Sequence, residues 1–410
     1  MNFSDLGRSP TFVVGQAQQR DLLDEFQRRD QHLSELYSKN KPLCFNANAF
    51  QKTHPRKVRE GKRDADATLV SPMLLGVADG VSQIEDYGID ASLLPRELLK
   101  ACQELAMSQL LPDSNSSMPV PQESYRGPIS LMREAYEATE SLGSTTALLA
   151  ILDNSSQIHG KLHPMVAVLS VGDCELLILR RLNGRQSALQ AVFHTEMQRI
   201  GGHAQQPIQI ARIDERVDPD FDEDCAIEVI QRGSAVHYVS AYAGDVIVMG
   251  SDGVFDNLFL DEIVDTCNQM LRPRPYGAGE RTYAPTDPEI MRQVAQRIVL
   301  ESHAKTQQGM NGHFPEAPIG RGGKVDDTSC VVSEVVEWTD VHNEVWTRAR
   351  RRKRFQDLIT CGGNLQIGCH DDDHELELMH YHGMAREIDP RTPGRDSSYD
   401  DDEDDKCSIL

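Results

Sequence analysis

The chain has 410 residues, 39% of them apolar, enough for one large domain or two ordinary ones with a sizeable core. Its formal net charge of −22 and its short apolar runs argue against a broad basic nucleic-acid face, and against a membrane span, which needs about 20 apolar residues. Nine scattered cysteines read as reduced thiols rather than a secreted disulfide framework, and with no apolar leader the expected location is the cytoplasm.

Residues 1–60 read as an extension carrying one amphipathic helix, because Leu22, Leu23, Phe26, Leu33 and Leu36 recur at helical spacing within 17–38. From about residue 64 the pattern becomes β-rich, with strands expected over 67–78, 144–152, 165–171, 174–181, 235–241, 245–250 and 328–338. Helices are expected over 92–111, 128–141, 260–271 and 287–305, the last capped by Asp287 with Pro288 at its first position. The links around Gly172-Asp173 and Gly244-Asp245 read as tight hairpins, which require antiparallel neighbours. Antiparallel strands separated by whole helices imply an α+β domain over 61–340, with helices packed on the outer faces of its sheets. Residues 341–410 read as a disordered tail: a basic run RARRRKR at 348–354, a His- and Asp-rich stretch, then acids at 400–405. Cys361, Cys369, His370, His374, His380 and His382 match no standard zinc-ligand spacing.

Three acids stand where an apolar strand begins or stops: Asp79 in LLGVADGV, Asp252 in VMGSDGVFDN and Asp326 in GGKVDDTSCVV. Carboxylates converging in a partly buried site repel one another and are costly to desolvate, and divalent cations remove both problems. An all-oxygen set of this kind suits Mg²⁺ or Mn²⁺. Gly80 and Gly253 let the backbone approach an ion, although Asp-Gly is also an ordinary turn dipeptide.

LLGVADGVSQIEDYGID, LGSTTALLAILD, LSVGDCELLILRR, IVMGSDGVFDNL and GGKVDDTSCVVS occur in the order expected of the metal-dependent serine/threonine protein phosphatases of type 2C, and the chain resembles that family over roughly residues 64–337. The YGID of residues 87–90 is similar to the subgroup that lacks a His after the first Asp-Gly. The resemblance implies two packed central antiparallel sheets flanked by helices, and hydrolysis of phosphoserine and phosphothreonine in protein substrates by a water bridged between two Mn²⁺ or Mg²⁺ ions. Asp79 would bridge both ions, Gly80 would lend its carbonyl, Asp252 and Asp326 would complete the shell, and Asp66 would orient bound waters. Asp173 and Asp256, with Asp252, would hold a third, weaker ion, although Asp173 also fits a plain turn.

Three positions depart from the family pattern. Ala65 stands where many members have Glu, and Gly61 where many have a phosphate-binding Arg. Arg59 and Arg63 are the nearest phosphate-binding candidates, and both also fit ordinary surface charge. Val81 replaces the His that can protonate the leaving oxygen, as in the subgroup, so that acid is unassigned; the alternative function is a catalytically weak or inactive scaffold that acts by binding partners.

The last four residues, CSIL, form a C-a-a-X box that makes Cys407 a geranylgeranylation candidate and gives a monomeric phosphatase a route to membranes. One lipid needs a second signal, which the basic run can supply; that run also fits nuclear localisation. Under this reading Cys407→Ser moves the protein from the membrane to the soluble fraction, and an unchanged distribution removes it.

Overall fold

Apolar runs bounded by turn residues become ten main strands: β1 Leu43–Lys52, β2 Ala67–Val70, β3 Leu74–Ala78, β4 Ala147–Asp153, β5 Met165–Val171, β6 Glu175–Arg180, β7 Gln190–His194, β8 Ala235–Ser240, β9 Val246–Gly250 and β10 Thr328–Glu337. The computed structural model describes residues 41–361 apart from 113–116, 159–160, 183–186, 201–205, 220, 272–284 and 311. The helix expected over 17–38, the tail beyond 361 and Cys407 lie outside the described residues. Of two compact units, Met1–Asp357 and Leu358–Leu410, the fold described is that of the first.

One sheet has the order β1-β10-β9-β6-β7 and the other β8-β5-β4-β3-β2, with every neighbouring pair antiparallel. The sheets pack face to face. Phe45, Ile178, Ile247, Met249, Val331 and Val335 of the first share a core with Leu75, Val77, Leu149 and Val168 of the second. Helices α1 (Leu93–Gln109) and α2 (Pro128–Glu137) add Leu98, Cys102, Leu131 and Met132 to that core. On the first sheet's other face, Leu177, Leu179, Val246, Val248 and Val332 pack against Ile263, Val294 and Ile298 of two later helices, Leu260–Met270 and Pro288–Lys305. In β9, Val246 and Val248 therefore face one core while Ile247 and Met249 face the other. Side chains alternate across a strand, so a strand covered on both faces is apolar throughout, each buried aliphatic side chain contributing about 1.5–3 kcal/mol.

This is the α-β-β-α architecture expected, reached by different connections. The links at Gly172-Asp173 and Gly244-Asp245 are not hairpins: β5 and β8 lie in one sheet, β6 and β9 in the other, and each link crosses between them. β5, β6 and β9 are apolar on both faces, so no alternation in the sequence marks which sheet each of them joins. The single strand expected over 67–78 is a real hairpin, β2 and β3. It turns at Pro72, which has no N–H to give a ladder, and Ser71 Oγ accepts from the Met73 and Leu74 amides.

Several elements fall where none is expected, among them β7 and the one-turn helix Pro55–Arg59. β1, within the segment read as an extension, is an edge strand of the first sheet, and its Asn46 and Asn48 donate to the Thr286 and Pro288 carbonyls at the start of the helix Pro288–Lys305. Beyond residue 340, where disorder is expected, the helix Asp340–Cys361 begins. Trp338 just before it and Trp346 within it donate their indole N–H groups to the Ser117 and Pro112 carbonyls.

Candidate metal centre

All the acids singled out above lie at one end of the sandwich. Asp66 precedes β2 and Asp79 follows β3, and the pairing of Ala67 with Ala78 sets them side by side. Asp252 follows β9 while Asp326 and Asp327 precede β10, and the pairing of Gly250 with Cys330 brings them together. The Ser251 amide donating to Ser329 O, and the Ser329 amide to Ser251 Oγ, extend that ladder to the acids. Asp173 lies in the crossing from β5 to β6, and Asp256 one turn after Asp252, its amide bonded to the Asp252 carbonyl at 2.8 Å.

The two glycines are there for close approach. A Cβ on Gly253 would collide with the Asp327 carbonyl oxygen and stand 2.7 Å from Thr328 Oγ1; one on Gly80 would collide with the Ala91 carbonyl and stand 2.6 Å from that of Ala65. The backbone at both Asp-Gly steps is thus pressed against the neighbouring segments that carry Asp66 and Asp326.

Burial governs the acids. Asp66 is 1% exposed, and its withdrawal from water, then the charge of Asp64, pushes its carboxyl well above the usual range. Asp79 is raised by the same withdrawal, then by Asp66, Asp252 and Asp326; Asp252 is raised to about 7, chiefly by burial. Asp326 runs the other way, because Lys324 and Lys57 together outweigh its burial. Both oxygens of Asp66 and one each of Asp173, Asp252 and Asp327 are buried without a hydrogen-bond partner. Such orphaned anionic oxygens fit hard divalent cations.

The side chains are nevertheless not gathered around a point: among the described residues no three His, Cys, Asp or Glu groups stand ready to hold an ion. Lys324 stands among them instead. Its ammonium donates to Asp252 Oδ2 and lies 2.8 Å from Asp326 Oδ2 and 4.0 Å from Asp256 Oδ2, so an internal cation sits among the acids. Lys57, on the one-turn helix Pro55–Arg59 capped by His54, donates to Asp326 Oδ1 at 3.0 Å and Asp327 Oδ2 at 2.7 Å. Arg199 spans Asp173 and Asp256. None of these three cations was singled out from the sequence, although Lys324 lies inside the GGKVDD motif and Lys57 two residues before Arg59. The two arginines that were singled out point elsewhere: Arg59 donates to its own helix at Pro55 O, and Arg63, 78% exposed, pairs with Asp90.

No family model matches the chain. Among curated proteins it is 29% identical over 318 residues to probable protein phosphatase 2C 26 of Arabidopsis thaliana, covering 74% of this chain and 88% of that one. Curated relatives such as this one are named type 2C protein phosphatases, the family the chain resembles. It is also 26% identical over 285 residues to probable protein phosphatase 2C 62 of the same plant, covering 68% of this chain and only 32% of that relative. Among solved structures, the photosystem II phosphatase PBCP aligns with a TM-score of 0.48 at 22% identity, covering 71% of this chain and 98% of that one.

Within the acid cluster Lys324 holds together carboxylates that would otherwise repel. Its side chain is 34% exposed and comes from a loop preceding β10. Lys324→Met should therefore lower the stability of the metal-free protein by about 2 kcal/mol, between the exposed- and buried-pair limits, and enlarge the stabilisation that Mn²⁺ gives. Thermal unfolding with and without Mn²⁺ checks this; a variant as stable as wild type in chelator would show that Lys324 does not hold the acids.

Proposed function

We propose that the chain hydrolyses phosphoserine and phosphothreonine in proteins, using divalent cations, Mn²⁺ or Mg²⁺, held at the end of the sandwich. The observation that carries this reading is the cluster of Asp66, Asp79, Asp252 and Asp326 at four strand ends, with orphaned buried oxygens on Asp66 and Asp252. Asp79, Asp252, Asp326 and the Gly80 carbonyl would hold the cations. Bound there, the cations would supply an acidified water and positive charge against the phosphoryl oxygens.

The chain's own residues do the rest. Strand ends fix the carboxylates more rigidly than loops would. Asp66, buried with both oxygens unpartnered, would accept hydrogen bonds from waters beside Asp79 and so orient them. Lys57, tied to Asp326 and Asp327, fixes the first residues of the GGKVDD–β10 junction and adds fixed positive charge where a phosphate dianion would enter. Val81 offers no proton, so the leaving oxygen takes its proton from water or from another group.

A second reading, a type 2C fold that binds phosphoproteins without hydrolysing them, is favoured by one observation: the Lys324 ammonium lies between Asp252 and Asp326. Hydrolysis of para-nitrophenyl phosphate separates the two. Release dependent on Mn²⁺ or Mg²⁺ supports the enzyme; none with either ion supports the scaffold.

A further inference from the structure

The acids that the sequence assigns to a third ion already have a cation between them. Asp173 and Asp256 are 1% and 3% exposed. Arg199 Nε donates to Asp173 Oδ2 at 2.9 Å, and its Nη2 donates to Asp256 Oδ2 at 2.8 Å and lies 3.8 Å from Asp252 Oδ2. A planar guanidinium with donors on two edges suits two carboxylates better than an ammonium does, and it stays charged at every working pH.

Arg199 is delivered rigidly. It opens a short strand, Arg199–Ile200, paired with Gln206–Pro207. The residue before it is clamped to the crossing that carries Asp173: the Gln198 amide donates to Gly172 O at 2.8 Å, and the Gly172 amide donates back to Gln198 Oε1 at 3.0 Å. Gln198 Nε2 donates to Gly233 O, and Gln198 O accepts from the Ile208 amide. Lys324 reaches the acids from a loop with a third of its side chain in water, whereas Arg199 is held at its base and only 19% exposed. An ion entering between Asp173 and Asp256 would break two charge-assisted hydrogen bonds and strand a guanidinium that has little room to leave. A weakly held cation does not offset that.

We infer that Asp173 and Asp256 do not form a metal site in this chain: Arg199 is a positioning residue that stands in for the third cation and ties the strand Arg199–Ile200 to the metal end of the sandwich. The inference rests on the proposed cation centre at Asp79, Asp252 and Asp326. The sequence could not show it, because Asp173 and Asp256 carry the family pattern while Arg199 lies in a stretch with no motif.

The oxygen left over, Asp173 Oδ1, has no partner, and it is what an ion would gain if the guanidinium were removed. Calorimetric counting of Mn²⁺ bound to the full chain tests this with four proteins: wild type, Asp173→Asn, Arg199→Gln, and the double variant. Wild type and Asp173→Asn should bind the same number of ions. Arg199→Gln should bind one more, and the double variant should lose it again. An ion lost on Asp173→Asn alone, or none gained by a folded Arg199→Gln, overturns the inference. If Arg199→Gln does not fold, the comparison of wild type with Asp173→Asn decides it. A wild type that binds no Mn²⁺ removes the cation centre itself, and this inference with it.

Discussion

Replacing Asp252 by Asn is expected to lower Mn²⁺-dependent kcat/KM toward phosphopeptides by roughly a thousandfold, the factor that corresponds to losing about 4 kcal/mol of charge stabilisation. In metal-free protein the same change should act in the opposite direction. Burial raises the Asp252 carboxyl from 3.8 to about 7, so the folded state binds this proton more tightly than the unfolded chain does. The stability Asp252 contributes is thus fully present below about pH 4 and is lost as pH rises to about 7, on the order of a few kcal/mol. Asn carries no charge to bury, so in chelator at pH 8 Asp252→Asn should unfold at a higher temperature than wild type, and the gap should close toward pH 4. A variant that is equally stable at both pH values would show that Asp252 is not held protonated by its surroundings. Added Mn²⁺ should reverse the order, because only wild type keeps the ligand.

Gly253→Ala is expected to cost about 1–3 kcal/mol of stability and, in the protein that still folds, most of the activity. The added Cβ meets the Asp327 carbonyl, a backbone atom that no rotamer change can move, and Thr328 Oγ1 at 2.7 Å. Relief requires the start of β10 to shift, and Asp326 is on that segment. The same substitution at Gly61, where a Cβ meets nothing within 4 Å although φ is +75°, should cost only the backbone strain and leave kcat/KM within a few-fold of wild type. Denaturant unfolding and steady-state kinetics on the two variants separate the effects; full activity in folded Gly253→Ala would show that the close approach does not position the ligands.

Much of this centre can be read from the sequence because strand ends are local. Asp79, Asp252 and Asp326 each adjoin an apolar run, and the runs become β3, β9 and β10. The cations that partner these acids are not local. Lys57 is 269 residues from Asp326, and Arg199 is 57 from Asp256. Long side chains reach the acids from segments whose own patterns carry no signal. The architecture was legible while its wiring was not: β5, β6 and β9 are buried on both faces and carry no sign of which sheet they join, so the short crossings at Gly172 and Gly244 read as hairpins. β1 was missed because Asn46 and Asn48 are poor strand formers, held here by hydrogen bonds to the start of the helix Pro288–Lys305. The helix Asp340–Cys361 lacks a clear apolar stripe, and its attachment through Trp338 and Trp346 depends on carbonyls more than 200 residues earlier.

The most direct test is phosphate release from a phosphoserine or phosphothreonine peptide by the purified full-length chain, measured in chelator and then with Mn²⁺ restored. The proposed function predicts none in chelator and turnover on addition of Mn²⁺. Equal release in chelator, or none with either Mn²⁺ or Mg²⁺, would contradict it.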